Sequence, residues 1–179
     1  MHSITIFCGS RDGRDPRYVE QARELGLQLA GKGLRIVFGG GRKGLMGALA
    51  DGMLEGGGRV TGIIPRLLLE WEVQHTGVTE LIITESMHER KTLLYKMCDA
   101  AIVLPGGYGT LDEMFELLTW NQLNLHDKKV FVLNTAGFYD HLHTHMRHLF
   151  DQGFLYQPVE DRVRLFSDPA SLVDALLRN

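Results

Sequence analysis

A basic excess is missing from this sequence: 19 lysines and arginines stand against 22 aspartates and glutamates, a formal net charge of −3. Proteins that neutralise a phosphate backbone carry clustered positive charge. A long nucleic acid is therefore not an expected partner, although a few local groups can still hold a small anion. Cysteine is scarce as well. Cys8 and Cys98 form no CxxC pair and no zinc spacing, and their apolar neighbours predict buried thiols. No apolar run approaches the length of a bilayer span. The opening residues Met1–Phe7 contain neither a basic leader nor a long apolar stretch, which predicts a cytoplasmic protein with no membrane partner. Internal repeats, low-complexity tracts and linkers are also lacking. The 179 residues, 1–179, are read as one domain, a length sufficient for one well-buried core.

What is present is an alternation of short β-branched runs with longer amphipathic ones. Strands are predicted at Ile4–Phe7, Arg35–Phe38, Arg59–Ile64, Leu81–Thr84, Ala100–Leu104, Val130–Leu133 and Val163–Phe166. Helices are predicted at Pro16–Lys32, Leu45–Glu55, Met87–Met97 and Thr110–Leu123, then from Tyr139 and from Pro169. The stretch Arg66–Thr79 is irregular and reads as a cover for an edge of the sheet or of the site. Strands alternating with helices at this spacing imply an α/β, Rossmann-like domain, a parallel sheet with helices on both faces.

In such sheets ligands bind beyond the carboxyl ends of the strands, where loops enter helices. Glycine stands at three of these turns: Cys8-Gly9-Ser10, Gly39-Gly40-Gly41-Arg42-Lys43-Gly44, and Pro105-Gly106-Gly107-Tyr108-Gly109-Thr110. Glycine lets backbone N–H groups approach an oxygen closely, and a helix N-terminus adds about half a positive charge. Together they make a seat for phosphate. A single glycine would be explained by the tight turn alone, but two consecutive runs, each directly after a strand, point to a cradle. Gly39, Gly41 and Gly44 satisfy GxGxxG, yet the following strand ends Ile64-Pro65-Arg66, without the acidic residue that a dinucleotide ribose requires. Gly44 is followed by Leu45-Met46, which excludes a Walker A loop.

Two charged clusters need a reason. Thr110 and Glu113 have the spacing of a capping box, so Glu113 could simply cap its helix. The same position also puts a carboxylate at the mouth of a phosphate seat. In Ser86-Met87-His88-Glu89-Arg90-Lys91 the two cations fall in the first turns of a helix, where the dipole disfavours them unless an anion is near. His141, His145 and His148 share a helical face, but the apolar stripe of Leu142, Met146, Leu149 and Phe150 turns them outward, and no metal is expected there.

Cys8-Gly9-Ser10, Gly39-Gly40-Gly41 with Gly44-Leu45-Met46-Gly47, the Met87-His88-Glu89-Arg90-Lys91 cluster and the run Pro105–Glu113 together resemble the LOG ("lonely guy") family. Its members are cytokinin riboside 5'-monophosphate phosphoribohydrolases, often mislabelled as lysine decarboxylases. The resemblance extends from near the amino terminus to at least Gly153-Phe154-Leu155. It implies that Arg90 and Glu113 are the catalytic pair. It implies nucleotide contacts at Arg90, Lys91, Gly106, Gly107, Tyr108, Gly109, Thr110, Leu111 and Asp112, with Glu72 and Thr119 as further members. Ser10, Gly40 and Gly41 of the first two turns join them as expected substrate contacts. It also implies a homodimer with the site near the subunit boundary, and no cofactor. Arg11 and Asp112 depart from the family pattern. The expected reaction releases free base and ribose 5-phosphate from an adenosine 5'-monophosphate, N6-modified or not. A carrier of the same fold that holds a nucleotide or phosphorylated cofactor without chemistry is the alternative, and a passive cradle has no need of both Arg90 and Glu113.

Overall fold

The computed structural model describes residues 2–69 and 73–178. Its elements run β1 (Ser3–Phe7), α1 (Arg17–Gly31), β2 (Arg35–Phe38), α2 (Gly44–Glu55), β3 (Arg59–Pro65) and β4 (Glu80–Thr84). Then follow α3 (Met87–Lys96), β5 (Ala100–Val103), α4 (Tyr108–Gln122), β6 (Val130–Leu133), α5 (Asp140–Asp151), β7 (Val163–Phe166) and α6 (Pro169–Leu177).

Local sequence accounts for most of these boundaries. In α1, Ala22, Leu25, Gly26 and Leu29 recur at helical spacing and are buried. Ser86 caps α3 by accepting from the Glu89 N–H at 3.1 Å, and Glu89 returns its Oε2 to the Glu85 N–H at 2.9 Å. Asp168 caps α6 by accepting from the Ser171 N–H at 2.9 Å, with Pro169 in the first turn, where its missing N–H costs nothing. One boundary departs from the sequence reading. α4 begins at Tyr108 with Gly107 as its cap. Thr110 therefore lies inside the first turn, and the capping box that the Thr110–Glu113 spacing allowed does not form. The glycine turn leads the chain into the helix three residues earlier than a Thr110 cap would.

The seven strands are all parallel, in the order β4-β3-β2-β1-β5-β6-β7. Alternate strand residues feed two cores. Ile4, Ile6, Ile36, Phe38, Ile102, Phe131 and Leu133 pack with α1, α2 and α6, while Phe7, Val37, Val103, Val130 and Val132 pack with α3, α4 and α5. Helices α1 and α2 cross closely because a Cβ on Gly26 or Gly52 would run into the backbone of the other helix. The chain moves outward in opposite directions from β1 and β5, so their adjacent carboxyl ends form the topological switch point, the crevice where open α/β sheets bind ligands. No helix among the described residues is long and apolar enough to cross a membrane.

Candidate active site

A cavity of about 550 Å³ opens at this switch point, within the ordinary range for small-molecule sites. The β1–α1 loop supplies Cys8 to Gly13, and the β5–α4 loop with the first turn of α4 supplies Pro105 to Thr110, with Gly39, Leu68, Met87, Arg90, Lys91, Asp112, Glu113 and Phe138 around them.

The three glycine turns turn out to do different work. The first two are mainly packing devices. The Gly9 N–H donates to Pro105 O at 3.0 Å, and Leu45 N–H donates back to Gly9 O at 3.1 Å, so the loops lean on one another. Gly44 has φ +64° and its α-hydrogen faces the Ser10–Arg11 backbone, leaving no room for a side chain. Gly40 and Gly41, expected as substrate contacts, do not line the cavity. Gly40 O accepts from the His75 N–H at 2.9 Å, Gly41 bridges Gln74, and the Arg42 N–H donates to Val73 O at 2.8 Å. This second turn is spent on holding the chain after β3, which fits the cover expected of Arg66–Thr79.

The third turn is different. A Cβ on Gly106 would overlap the Thr110 hydroxyl, so that glycine serves packing. A Cβ on Gly107 or Gly109 would meet nothing within 4 Å, and neither residue has a positive φ. Both are exposed and line the cavity at the N-terminal turn of α4. No feature of the fold demands glycine at these two positions; they leave backbone N–H groups bare at the positive end of a helix.

Arg90, on the first turns of α3, is only 7% exposed. Its Nη2 donates to Gly39 O at 3.4 Å, and its Nε has no hydrogen-bond partner among the described residues. An orphaned buried donor costs about 1–3 kcal/mol. Gly39 makes room for this guanidinium, since a Cβ there would strike Nη2. Glu113, one turn into α4, is half-buried in the cavity wall. Burial, with the Glu113 charge added, pushes the Cys8 thiol far above its ordinary range. Cys8 is thus a neutral thiol in the cavity lining, half-buried rather than part of the core, whereas Cys98 is buried as expected.

Lys91 was expected among the nucleotide contacts. It lines the cavity, with its ammonium between Glu116 Oε2 at 2.7 Å and Asp112 Oδ2 at 3.2 Å. The hydrogen bond it donates to Glu116, together with the one it donates to Asp112, holds its pKa above the ordinary value against partial desolvation.

Ser10, Gly106, Gly107, Tyr108, Gly109, Thr110 and Asp112 all line the cavity, as do Arg90 and Glu113. Leu111 packs against the α3–α5 core. Thr119 donates its hydroxyl to Phe115 O at 2.7 Å and lines a separate groove of about 240 Å³ between α4 and α5. Glu72 lies outside the described residues. Sequence reasoning did not single out Tyr18 and Phe138, which reach the cavity from α1 and from the turn after β6 and meet edge to face at 5.6 Å. The rule that ligands sit at strand carboxyl ends would have found Phe138, five residues beyond β6.

The family described as "Possible lysine decarboxylase" matches residues 46–176. A cytokinin riboside 5'-monophosphate phosphoribohydrolase of Rhodococcoides fascians is 41% identical over 97% of this chain and 88% of its own. An Arabidopsis thaliana protein of the same name is 42% identical over 85% of this chain and 71% of its own. Among solved structures, the molybdenum cofactor carrier protein of Chlamydomonas reinhardtii superposes with a TM-score of 0.76 at 20% identity, covering 99% of this chain and 96% of that one, a likeness of fold alone. A likeness of fold does not decide the family, so identity along the chain does. By that measure this chain belongs to the LOG family, the group whose matching description still reads "Possible lysine decarboxylase".

Proposed function

We propose that this chain hydrolyses the N-glycosidic bond of nucleoside 5'-monophosphates, releasing free base and ribose 5-phosphate. Its substrate class is adenosine 5'-monophosphate and N6-modified, cytokinin-type derivatives. The observation that carries the reading is the pairing of two glycines open to the cavity, Gly107 and Gly109, with the buried Arg90 whose Nε is unsatisfied. Bare amides at a helix N-terminus suit a 5'-phosphate, and binding energy spent on that phosphate positions the sugar some distance away.

Breaking the bond builds positive charge on the ribose ring. The Glu113 carboxylate offsets that charge and orients the attacking water, whose oxygen bonds to C1' as the C1'–N bond opens. The water's proton leaves through Glu113, and the departing base gains one at nitrogen. Arg90 is always protonated, so its role is electrostatic, holding phosphate or a ribose oxygen. Tyr18, Phe138, Leu68 and Met87 supply apolar surface suited to a base. The decarboxylase description fits this cavity poorly. Lys91 is the one lysine among the described residues that line it, and a Schiff base needs a neutral amine, whereas Lys91 is held protonated between two carboxylates.

The protein acts in the cytoplasm as a homodimer in this reading, which the family resemblance supports and light scattering would test. A second copy would account for Thr119, which one chain leaves off the cavity. Incubation with a panel of nucleoside monophosphates and the matching nucleosides, scored for free base, tests the activity. Release from the monophosphates alone is expected. Equal release from nucleosides would refute the phosphate anchor, and tight nucleotide binding without release would favour a carrier.

A further inference from the structure

Helices α3 and α4 both point their N-termini at the cavity, and each carries one of the two proposed catalytic groups, Arg90 and Glu113. Side chains on their facing sides are linked. Lys91 and Tyr95 are four apart on α3, and Asp112 and Glu116 are four apart on α4, so each pair forms a ridge. Glu116 Oε2 accepts from Lys91 Nζ at 2.7 Å and from the Tyr95 hydroxyl at 2.8 Å. The same hydroxyl lies 3.4 Å from the Glu113 carbonyl oxygen, and Lys91 Nζ reaches Asp112 Oδ2 at 3.2 Å. Tyr95 cannot swing away. It is 1% exposed, with Phe7 and Trp120 edge to face against it at 6.0 and 5.0 Å.

Each catalytic group is thus the immediate chain neighbour of a linked residue: Arg90 precedes Lys91, and Glu113 follows Asp112. The Lys91 charge is already matched by two carboxylates, which leaves Arg90, Arg11 and the α4 amides as the positive groups available to a phosphate in the cavity. We propose that Lys91, Glu116 and Tyr95 form a clasp that sets the spacing of α3 and α4, and with it that of Arg90 and Glu113. Lys91 and Glu116 are positioning residues for hydrolysis rather than ligands of the nucleotide. The proposal rests on the phosphoribohydrolase reading for its catalytic consequence, but not for the clasp itself.

A phosphate ligand and a positioning residue fail in different ways. Lys91→Met and Glu116→Gln both preserve side-chain length, and Glu116→Gln can still bond Tyr95. Each is expected to lower kcat about tenfold or more, because small misplacement of reacting groups is costly. KM and inhibition by ribose 5-phosphate should stay within about twofold, since neither residue touches the phosphate. The double variant should be no worse than the more impaired single one, as expected for partners in one interaction. A tenfold or greater rise in KM and in the ribose 5-phosphate inhibition constant for Lys91→Met, without a matching effect of Glu116→Gln, would make Lys91 a ligand and overturn the proposal. The parental protein is assayed alongside. If it releases no base, the functional reading fails by itself, and urea unfolding of the same four proteins still tests the clasp. Non-additive midpoints support it; strictly additive ones refute it.

Discussion

Replacing Gly109 by alanine should make the protein more stable and less active. Gly109 is the second residue of α4, has an ordinary negative φ, and a Cβ built on it meets no atom within 4 Å. Alanine therefore introduces no clash and removes backbone freedom from the unfolded chain, a gain of roughly 0.4–1 kcal/mol. For a chain of this size that raises Tm by roughly 1–4 °C. The same methyl would stand over the bare amides at the cavity edge and keep a phosphate oxygen from the backbone. Losing one hydrogen bond to a charged oxygen costs roughly 1.5–3 kcal/mol, or about 10- to 150-fold in kcat/KM. Thermal unfolding and steady-state base release on one preparation measure both signs. Gly106→Ala is the contrast: its Cβ would overlap the Thr110 side chain, so stability and activity should fall together. If Gly109→Ala kept the parental kcat/KM, the open glycines would not be a phosphate seat. If it lowered Tm, the claim that the fold makes no demand there would be wrong.

Glu113→Gln should retain nucleotide binding by calorimetry and lose nearly all base release; turnover at the parental rate would remove Glu113 from the chemistry. Gly39→Ala should push the Arg90 guanidinium aside and lower kcat about 100-fold with a folded circular dichroism spectrum; unchanged kcat would show that Arg90 need not sit where it does. Asp168→Ala should cost about 1 kcal/mol of stability at neutral pH through loss of the α6 cap. The Ser171 backbone N–H, and then its hydroxyl, lower the Asp168 pKa, so this contribution is complete above a pH of about 4. It fades as the pH falls through the depressed folded-state value. A deficit that persisted unchanged in acid would mean the carboxylate charge is irrelevant. Gly52→Ala should destabilise by roughly 1–3 kcal/mol, because its Cβ would run into the Arg23 carbonyl oxygen across the α1–α2 crossing; an unchanged urea midpoint would show the crossing has slack.

Much of this protein is written locally. The period of the apolar residues located the strands and helices to within one or two residues, because period and caps are set within a single turn or pair of residues. The alternation of strand and helix dictated a parallel sheet, and the spacing of glycine, Arg90 and Glu113 carried the family resemblance. Only the tertiary structure sorted the glycines. Gly39 and Arg90 lie 51 residues apart and meet because β2 and α3 flank the same crevice. Gly40 and Gly41 read like a cradle but are occupied by the chain after β3, while Gly107 and Gly109 stand open. The pairing of Lys91 with Glu116 was equally out of reach, since a cation near a helix start looks the same in sequence whether an anion or a neighbouring helix neutralises it. Residue type and spacing determined which groups the protein has for a phosphate and a sugar; the strand order, by bringing distant loops together, decided which of them remain available.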